Sequence, residues 1–220
     1  MSCIRPLLFS IDLVKRSMSC LFDFSEAIWM AGRQAKLLTD DHIRNLLAFA
    51  AATRYPERNR VIVLLSVKGG LRAGEIANLT WEMVLDPTRA VGPAIELHDW
   101  AAKKGSGRRI PLHPELREAL IVWQANSGGM GAVVRSERGG QMSSVSIVNW
   151  FAEAYRSIGL EACSSHSGRR TFITRAARLV HHAGGSLRDV QLLAGHGSLM
   201  TTQAYIDGDT DAQRKLVSMI

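Results

Sequence analysis

Two stretches in the last quarter of the chain, Ser165-His166-Ser167-Gly168-Arg169-Arg170-Thr171 and Leu193 to Tyr205, bring His166, Arg169, Arg170, His196 and Tyr205 within forty positions. These residue types can hold a phosphate and attack it. A phosphodiester gains negative charge as a nucleophile adds, so cationic and hydrogen-donating groups must surround it. Arginine stays charged, and its planar fork donates two hydrogen bonds to non-bridging oxygens. A tyrosine that ends such an array is a candidate nucleophile. A phenol titrating near pH ~10 is only about a thousandth ionised at neutral pH, so it needs cationic surroundings or a base. Far upstream, Gly70-Leu71-Arg72-Ala73-Gly74-Glu75-Ile76 sets an arginine and a glutamate three apart among small residues that permit close approach.

The elements that must position these groups are mostly helical. Thr39 caps a helix with Ile43, Leu46, Leu47 and Ala50 on one face, and Val61 to Val67, apolar nearly all round, predicts a buried helix ended by Gly69-Gly70. Arg72 then lies in a turn entering a short helix from Gly74 to Leu79. Runs at 82–85, 94–97 and 109–112 predict three small antiparallel strands, the last two joined by the basic turn Lys103-Lys104-Gly105-Ser106-Gly107-Arg108-Arg109. Pro114 opens a helix carrying Leu116, Leu120 and Trp123, ended by Ser127-Gly128-Gly129. Another helix spans about Ser144 to Ile158, with Ile147, Phe151, Ala154 and Ile158 inward. Ser164 or Ser165 caps the next, which puts His166 and Arg169 on a shared face of its first turn, near the positive end of the helix dipole. Gly184-Gly185 breaks that helix, Ser186 opens a short one through Leu193, and a final helix carries Tyr205.

Composition sets the outer bounds. The 220 residues suffice for a substantial core, and 46% hydrophobic with 21% charged residues is ordinary for a globular protein. A net charge of +7 favours a polyanionic partner, because lysines and arginines along phosphates release condensed counterions. Cys3, Cys20 and Cys163 are odd in number and scattered, without the spacing of a zinc site or a disulfide framework, which fits a reducing, cytoplasmic setting. Charges at Asp12, Lys15, Arg16, Asp23 and Glu26 interrupt the early apolar patches, so neither a signal peptide nor a membrane span is expected. Residues 1 to 36 lack a clear period and are read as an N-terminal extension to a domain over 37–220.

In order and spacing, Arg72 in its Gly-Leu-Arg-x-x-Glu turn, a hairpin lysine, His166-x-x-Arg169, Gly195-His196 and Tyr205 nine residues on resemble the signature of the tyrosine recombinases, or phage-type integrases. The resemblance covers roughly Leu38 to Tyr205. It implies an α+β, mainly α-helical catalytic domain with a small three-stranded antiparallel sheet. It also implies that Tyr205 attacks a DNA phosphodiester to give a 3′-phosphotyrosine and a free 5′ hydroxyl, with Arg72 and Arg169 clamping the phosphate. His196 would donate to a phosphate oxygen, and His166 would assist proton movement or position the phosphate. The lysine would protonate the departing 5′ oxygen, and the family spacing, eight residues back from Pro111, selects Lys103 over Lys104. Glu75 takes a supporting place, orienting Arg72. Lys104, Arg108, Arg109 and Arg170 are read as DNA contacts.

The implied partners are double-stranded DNA and, on paired sites, a homo-tetramer built from a chain that is monomeric in isolation, with its tail from Asp207 docking on a neighbour. The implied location is the cytoplasm, at the nucleoid. No metal or cofactor is called for: the chain has no Walker-type phosphate loop, and its histidines lack nearby carboxylate or cysteine ligands. The sequence departs from the family pattern in two ways. Gly168 stands where leucine is common, for which a modest loss of helix stability is expected. Residues 1 to 36 are too few for the separate DNA-gripping domain that usually comes first, so affinity and target selection should suffer. Two rival readings share some of these features. A helix-turn-helix over Leu187 to Ile206 would turn Thr201, Thr202 and Gln203 toward bases without catalysis. A type IB topoisomerase would share the chemistry but relax supercoils as a monomer.

Overall fold

The computed structural model describes residues 35–205, 214 and 217–220. The expected N-terminal extension falls almost wholly outside the described residues, as does most of the tail after Tyr205. The fold is built around one apolar helix. Helix α1 (Asp40–Ala51) is capped by Thr39, whose hydroxyl accepts from the His42 amide, and it buries Ile43, Leu46 and Ala50. Helix α2 (Pro56–Val67) starts at a proline five residues before its apolar run, where the missing amide hydrogen costs nothing, and is buried from Val61 through Val67. It packs against α1, α4 (Pro114–Ser127) and α6 (Ser167–Leu179), which is why no polar face shows in its second half.

After α2 the chain turns through Gly70 into the short α3 (Ala73–Asn78). The sheet has two strands, β1 (Ala94–Leu97) and β2 (Arg108–Pro111), antiparallel with Glu96 opposite Arg109. The expected strand at 82–85 is absent. Trp81–Met83 forms a single 3-10 turn, and only Leu85 makes an isolated bridge, to Val91. The reason is packing: Trp81, Met83 and Val84 are all buried, which a half-exposed alternating strand does not allow. Gly128 ends α4 at φ 80°, and α5 (Ser144–Ser157) is capped by Ser143 and faces inward through Ile147, Phe151, Ala154 and Tyr155.

Helix α7 (Leu187–Ala194) opens on a Ser186–Asp189 capping box and closes at Gly195 with φ 61°. Helix α8 (Leu199–Gln203) is too short to include Tyr205, which sits in the turn beyond it and not within a final helix. A small second core of Ile173, Ala177, Val180, Val190 and Ala194, with Phe172 and Tyr205 against it, joins α6 to α7. No described helix is long and apolar enough to cross a membrane.

Candidate active site

Glu75 is the hub. It is 1% exposed, and its two oxygens take hydrogen bonds from Arg72 Nη1 at 2.6 Å and from Arg108 Nη1 and Nη2 at 3.1 and 2.9 Å. The Arg72 amide adds a further bond at 3.0 Å, and Arg169 Nη1 lies 3.9 Å away. Burial alone would raise this carboxyl. The Arg108 hydrogen bonds and charge, followed by the Arg72 amide and guanidinium, overcome that and hold it at about 2. Glu75 therefore stays ionised, and three guanidiniums against one carboxylate leave the pocket with a net positive charge.

Each arginine is fixed by backbone that the local sequence supplies. Gly70, at φ 65°, presents its carbonyl to Arg169 Nη1 at 2.6 Å, and a β-carbon there would stand 2.3 Å from Phe172. At the other end of the pocket the last carbonyls of α7 face inward. Arg169 Nη2 donates to Ala194 O at 2.6 Å, and Arg108 Nε donates to Leu193 O at 2.8 Å. Cations at the negative end of a helix are favourable, so α7 anchors both. Gly195 is needed for that approach, since a β-carbon would lie 2.8 Å from Arg108 Nη1. Burial first, then the Arg72 charge, lowers Arg169 to about 10, still cationic at neutral pH. Arg72 keeps the most access, with 24% of its side chain exposed against 4% for Arg169.

His196 and Tyr205 complete the interior. Their rings stack at 5.3 Å and 27°, His196 Nδ1 lies 2.9 Å from Thr202 Oγ1, and Gln191 Nε2 donates to the His196 carbonyl at 2.9 Å. Desolvation, followed by the charges of Arg169, Arg72 and Arg108, depresses His196 to about 4, so the ring is neutral at pH 7. Tyr205 lies close enough to Arg169 for the two groups to influence each other electrostatically. His166 is the N-cap residue of α6, one position before its first turn, and lies at the exposed rim. Neither expected serine caps α6 in the usual sense: the Ser164 hydroxyl accepts the His166 amide, and Ser167 Oγ accepts the Ser164 amide. Desolvation and then Arg169, Arg72 and Lys103 lower the basicity of His166.

Lys103 is exposed but near enough for its charge to be felt at His166, whereas Lys104, also exposed, occupies a left-handed turn at φ 59°. The connection that carries them is organised: Asp99 Oδ1 accepts the Gly107 amide at 2.8 Å, and Ser106 Oγ donates to the Lys103 carbonyl at 2.8 Å. Arg109 is exposed and pairs with Glu96 at 3.0 Å. Arg170 Nη1 reaches back to the Ala35 carbonyl at 2.5 Å. Arg108 departs from the expectation of a DNA contact on the basic turn. Its side chain is 6% exposed and committed to Glu75 and Leu193, because a buried carboxylate must have the lone pairs that Arg72 leaves open filled by further hydrogen bonds.

The spacing of motifs missed two residues of this site, Thr202 and Gln191. Both are buried polar side chains on the helices flanking the Gly195-His196 turn, and no local sequence signal marks their part in it. Thr202, at 0% exposure, cannot face a base, which removes the central contact of a helix-turn-helix reading. Gly168 also has a larger part than helix weakening: α6 crosses α2 so closely there that a β-carbon would stand 2.3 Å from Ser66 Oγ and 3.1 Å from Val67 Cγ1.

Residues 36–211 match the model of the phage integrase family. The chain belongs to this family. Tyrosine recombinase XerC of Brucella suis biovar 1 (strain 1330) is 29% identical over 185 residues, covering 80% of this chain and 55% of that protein. Tyrosine recombinase XerC of Rhizobium meliloti (strain 1021) is 28% identical over 184 residues, covering 80% of this chain and 54% of that one. The chain thus spans about half the length of the curated relatives it matches. The crystal structure of XerA recombinase has the same fold, with a TM-score of 0.67 at 24% identity over 83% of this chain and 64% of that one. XerH site-specific recombinase bound to palindromic difH substrate superposes at 0.64 with 18% identity, over 84% and 53% of the two chains.

Proposed function

We propose that this domain breaks and rejoins double-stranded DNA through a 3′-phosphotyrosine on Tyr205. The observation that carries the reading is the convergence of Arg72, Arg169, His196 and Tyr205, from four separate segments, on one pocket of net positive charge around the ionised Glu75. Tyr205 Oη gives up its phenolic proton, with His166 assisting its removal, and forms a bond to phosphorus as the bond to the 5′ oxygen breaks. Lys103 delivers a proton to that leaving oxygen, and the return attack by a 5′ hydroxyl reverses both steps. Arg72, the more accessible arginine, and the remaining N–H groups of Arg169 neutralise the charge on the non-bridging oxygens. His196, neutral in this field, donates a hydrogen bond, and His166 sits at the rim beside Lys103. Glu75 and Arg108 hold Arg72 in place and transfer no proton. Lys104 and Arg109 are the exposed cations suited to DNA phosphates, and Arg170 lies beside them in the reading as a weaker contact. In this reading the working form is a homo-tetramer on paired duplex sites, assembled from monomers in the cytoplasm at the nucleoid; the XerH structure, bound to palindromic difH substrate, supports duplex DNA as the partner.

The test uses duplexes with a nick beside candidate attachment sequences, which trap the covalent intermediate. The wild-type chain should give a protein–DNA adduct stable to denaturation, and Tyr205→Phe should give none while still binding the duplex. An adduct that persists in Tyr205→Phe would assign the nucleophile elsewhere.

A further inference from the structure

The Thr202 side chain is wholly buried, and among the described residues its hydroxyl has one hydrogen-bond partner, His196 Nδ1 at 2.9 Å. A helical threonine can return its hydrogen to the carbonyl one turn back. Here, among the described residues, the Thr202 hydroxyl makes no such bond, and its contact is with His196. A hydroxyl carries one hydrogen, and burying it without an acceptor is costly. Nδ1 is the acceptor within reach, so it must present a lone pair, and the single proton of the neutral ring then resides on Nε2. The opposite tautomer would place two hydrogens between Nδ1 and Oγ1 or leave the hydroxyl hydrogen buried without a partner.

We infer that Thr202 is a positioning residue that locks His196 as its Nε2–H tautomer, making the histidine a hydrogen-bond donor toward phosphate and not a proton acceptor. Three further contacts keep the ring from escaping this assignment. Gln191 holds the His196 carbonyl at 2.9 Å, and Tyr205 covers the ring face at 5.3 Å. The surrounding arginines, Arg169, Arg72 and Arg108, disfavour a second proton on the ring. A neutral imidazole with a fixed N–H is a preorganised donor that needs no rearrangement as charge develops. The consequence is a division of labour in the pocket: proton traffic is left to Lys103 and the rim histidine His166, while His196 only stabilises. This rests on the functional reading above for its catalytic meaning, but not for the tautomer itself.

The experiment has two arms. In the first, the full chain is labelled with ¹⁵N, and long-range ¹H–¹⁵N correlations of the imidazoles are recorded near neutral pH without DNA. The His196 signals are assigned by their loss in His196→Gln. Wild type and Thr202→Ser should show a pyridine-type Nδ1 and a pyrrole-type Nε2; Thr202→Val, which keeps the shape and deletes the hydroxyl, should show mixed or reversed character. A pyrrole-type Nδ1 in the wild type would overturn the inference whatever the activity. In the second arm, single-turnover cleavage of the nicked duplex is measured at saturating protein. Thr202→Val should slow it roughly 10- to 100-fold, part of the full loss of a preorganised donor. Its duplex affinity should stay within about two-fold, since one tautomer does not change the phosphate contacts that dominate binding. Thr202→Ser should recover most of the rate. Wild-type cleavage by Thr202→Val would also refute the assignment. An inactive wild type with the expected tautomer would instead count against the proposed function and leave the hydrogen-bond inference standing.

Discussion

Replacing Glu75 by glutamine is the sharpest probe of how the pocket is held together. The carboxyl titrates at 4.5 in water and at about 2 in the fold. At ~1.4 kcal/mol per pH unit of displacement, its ionisation supplies about 3 kcal/mol of stability at neutral pH. Glutamine keeps the shape but leaves Arg72, Arg108 and Arg169 without a counter-charge, and breaking a buried pair from one side typically costs about 3–5 kcal/mol. Glu75→Gln should therefore lose about 3–5 kcal/mol in urea unfolding followed by tryptophan fluorescence, with Tm lower by roughly 6–20 °C. The pH dependence has a definite sign. A depressed carboxyl stabilises fully above its unfolded pKa of about 4.5, and the benefit is lost as pH falls through 4.5 toward 2. The gap between wild type and variant should accordingly shrink by about 1.4 kcal/mol between pH 7 and about pH 3.5. A variant as stable as wild type, or a gap that does not change with pH, would refute a shared, buried, ionised Glu75.

Two other outcomes follow from the same geometry. His196 is held at about 4 against 6.5 in water, so the unfolded chain binds a proton in that window and the folded chain does not. Stability should therefore decline as pH falls from 6.5 to 4, by up to about 3 kcal/mol, and His196→Gln should flatten that part of the urea-midpoint profile. Helix propensity alone predicts that Gly168→Ala gains about 1 kcal/mol. The contact with Ser66 and Val67 on α2 reverses the sign, to a loss of about 1–3 kcal/mol by denaturation, relieved when Ser66 is changed to glycine in the same chain.

Much of the fold could be read from local pattern. The Thr39 cap, the proline opening α4, the glycines closing α4 and α7, and the apolar faces of α1 and α5 each act within one or two turns of helix, where side chain and backbone are neighbours in sequence as in space. The strand expected at 82–85 failed because an apolar run of that length suits a buried 3-10 turn as well as a strand, and only the neighbours that enclose Trp81 and Met83 decide between them. The ordered arginines, histidines and tyrosine were legible for a related reason: their motifs are short, and each carries its own turn.

What the sequence could determine by itself was therefore the set of chemical groups and the helices that present them. Only the tertiary structure decided who pairs with whom. Arg108 and Glu75 are 33 positions apart, and nothing local turns that guanidinium inward; the C-terminus of α7 and the buried carboxylate do. Thr202 becomes a partner of His196, and Gly168 a point of helix crossing, only once α6, α7 and α8 have packed. Hydrophobic period and capping act over a few residues, whereas the satisfaction of buried charges and hydroxyls depends on which distant segments the core brings together.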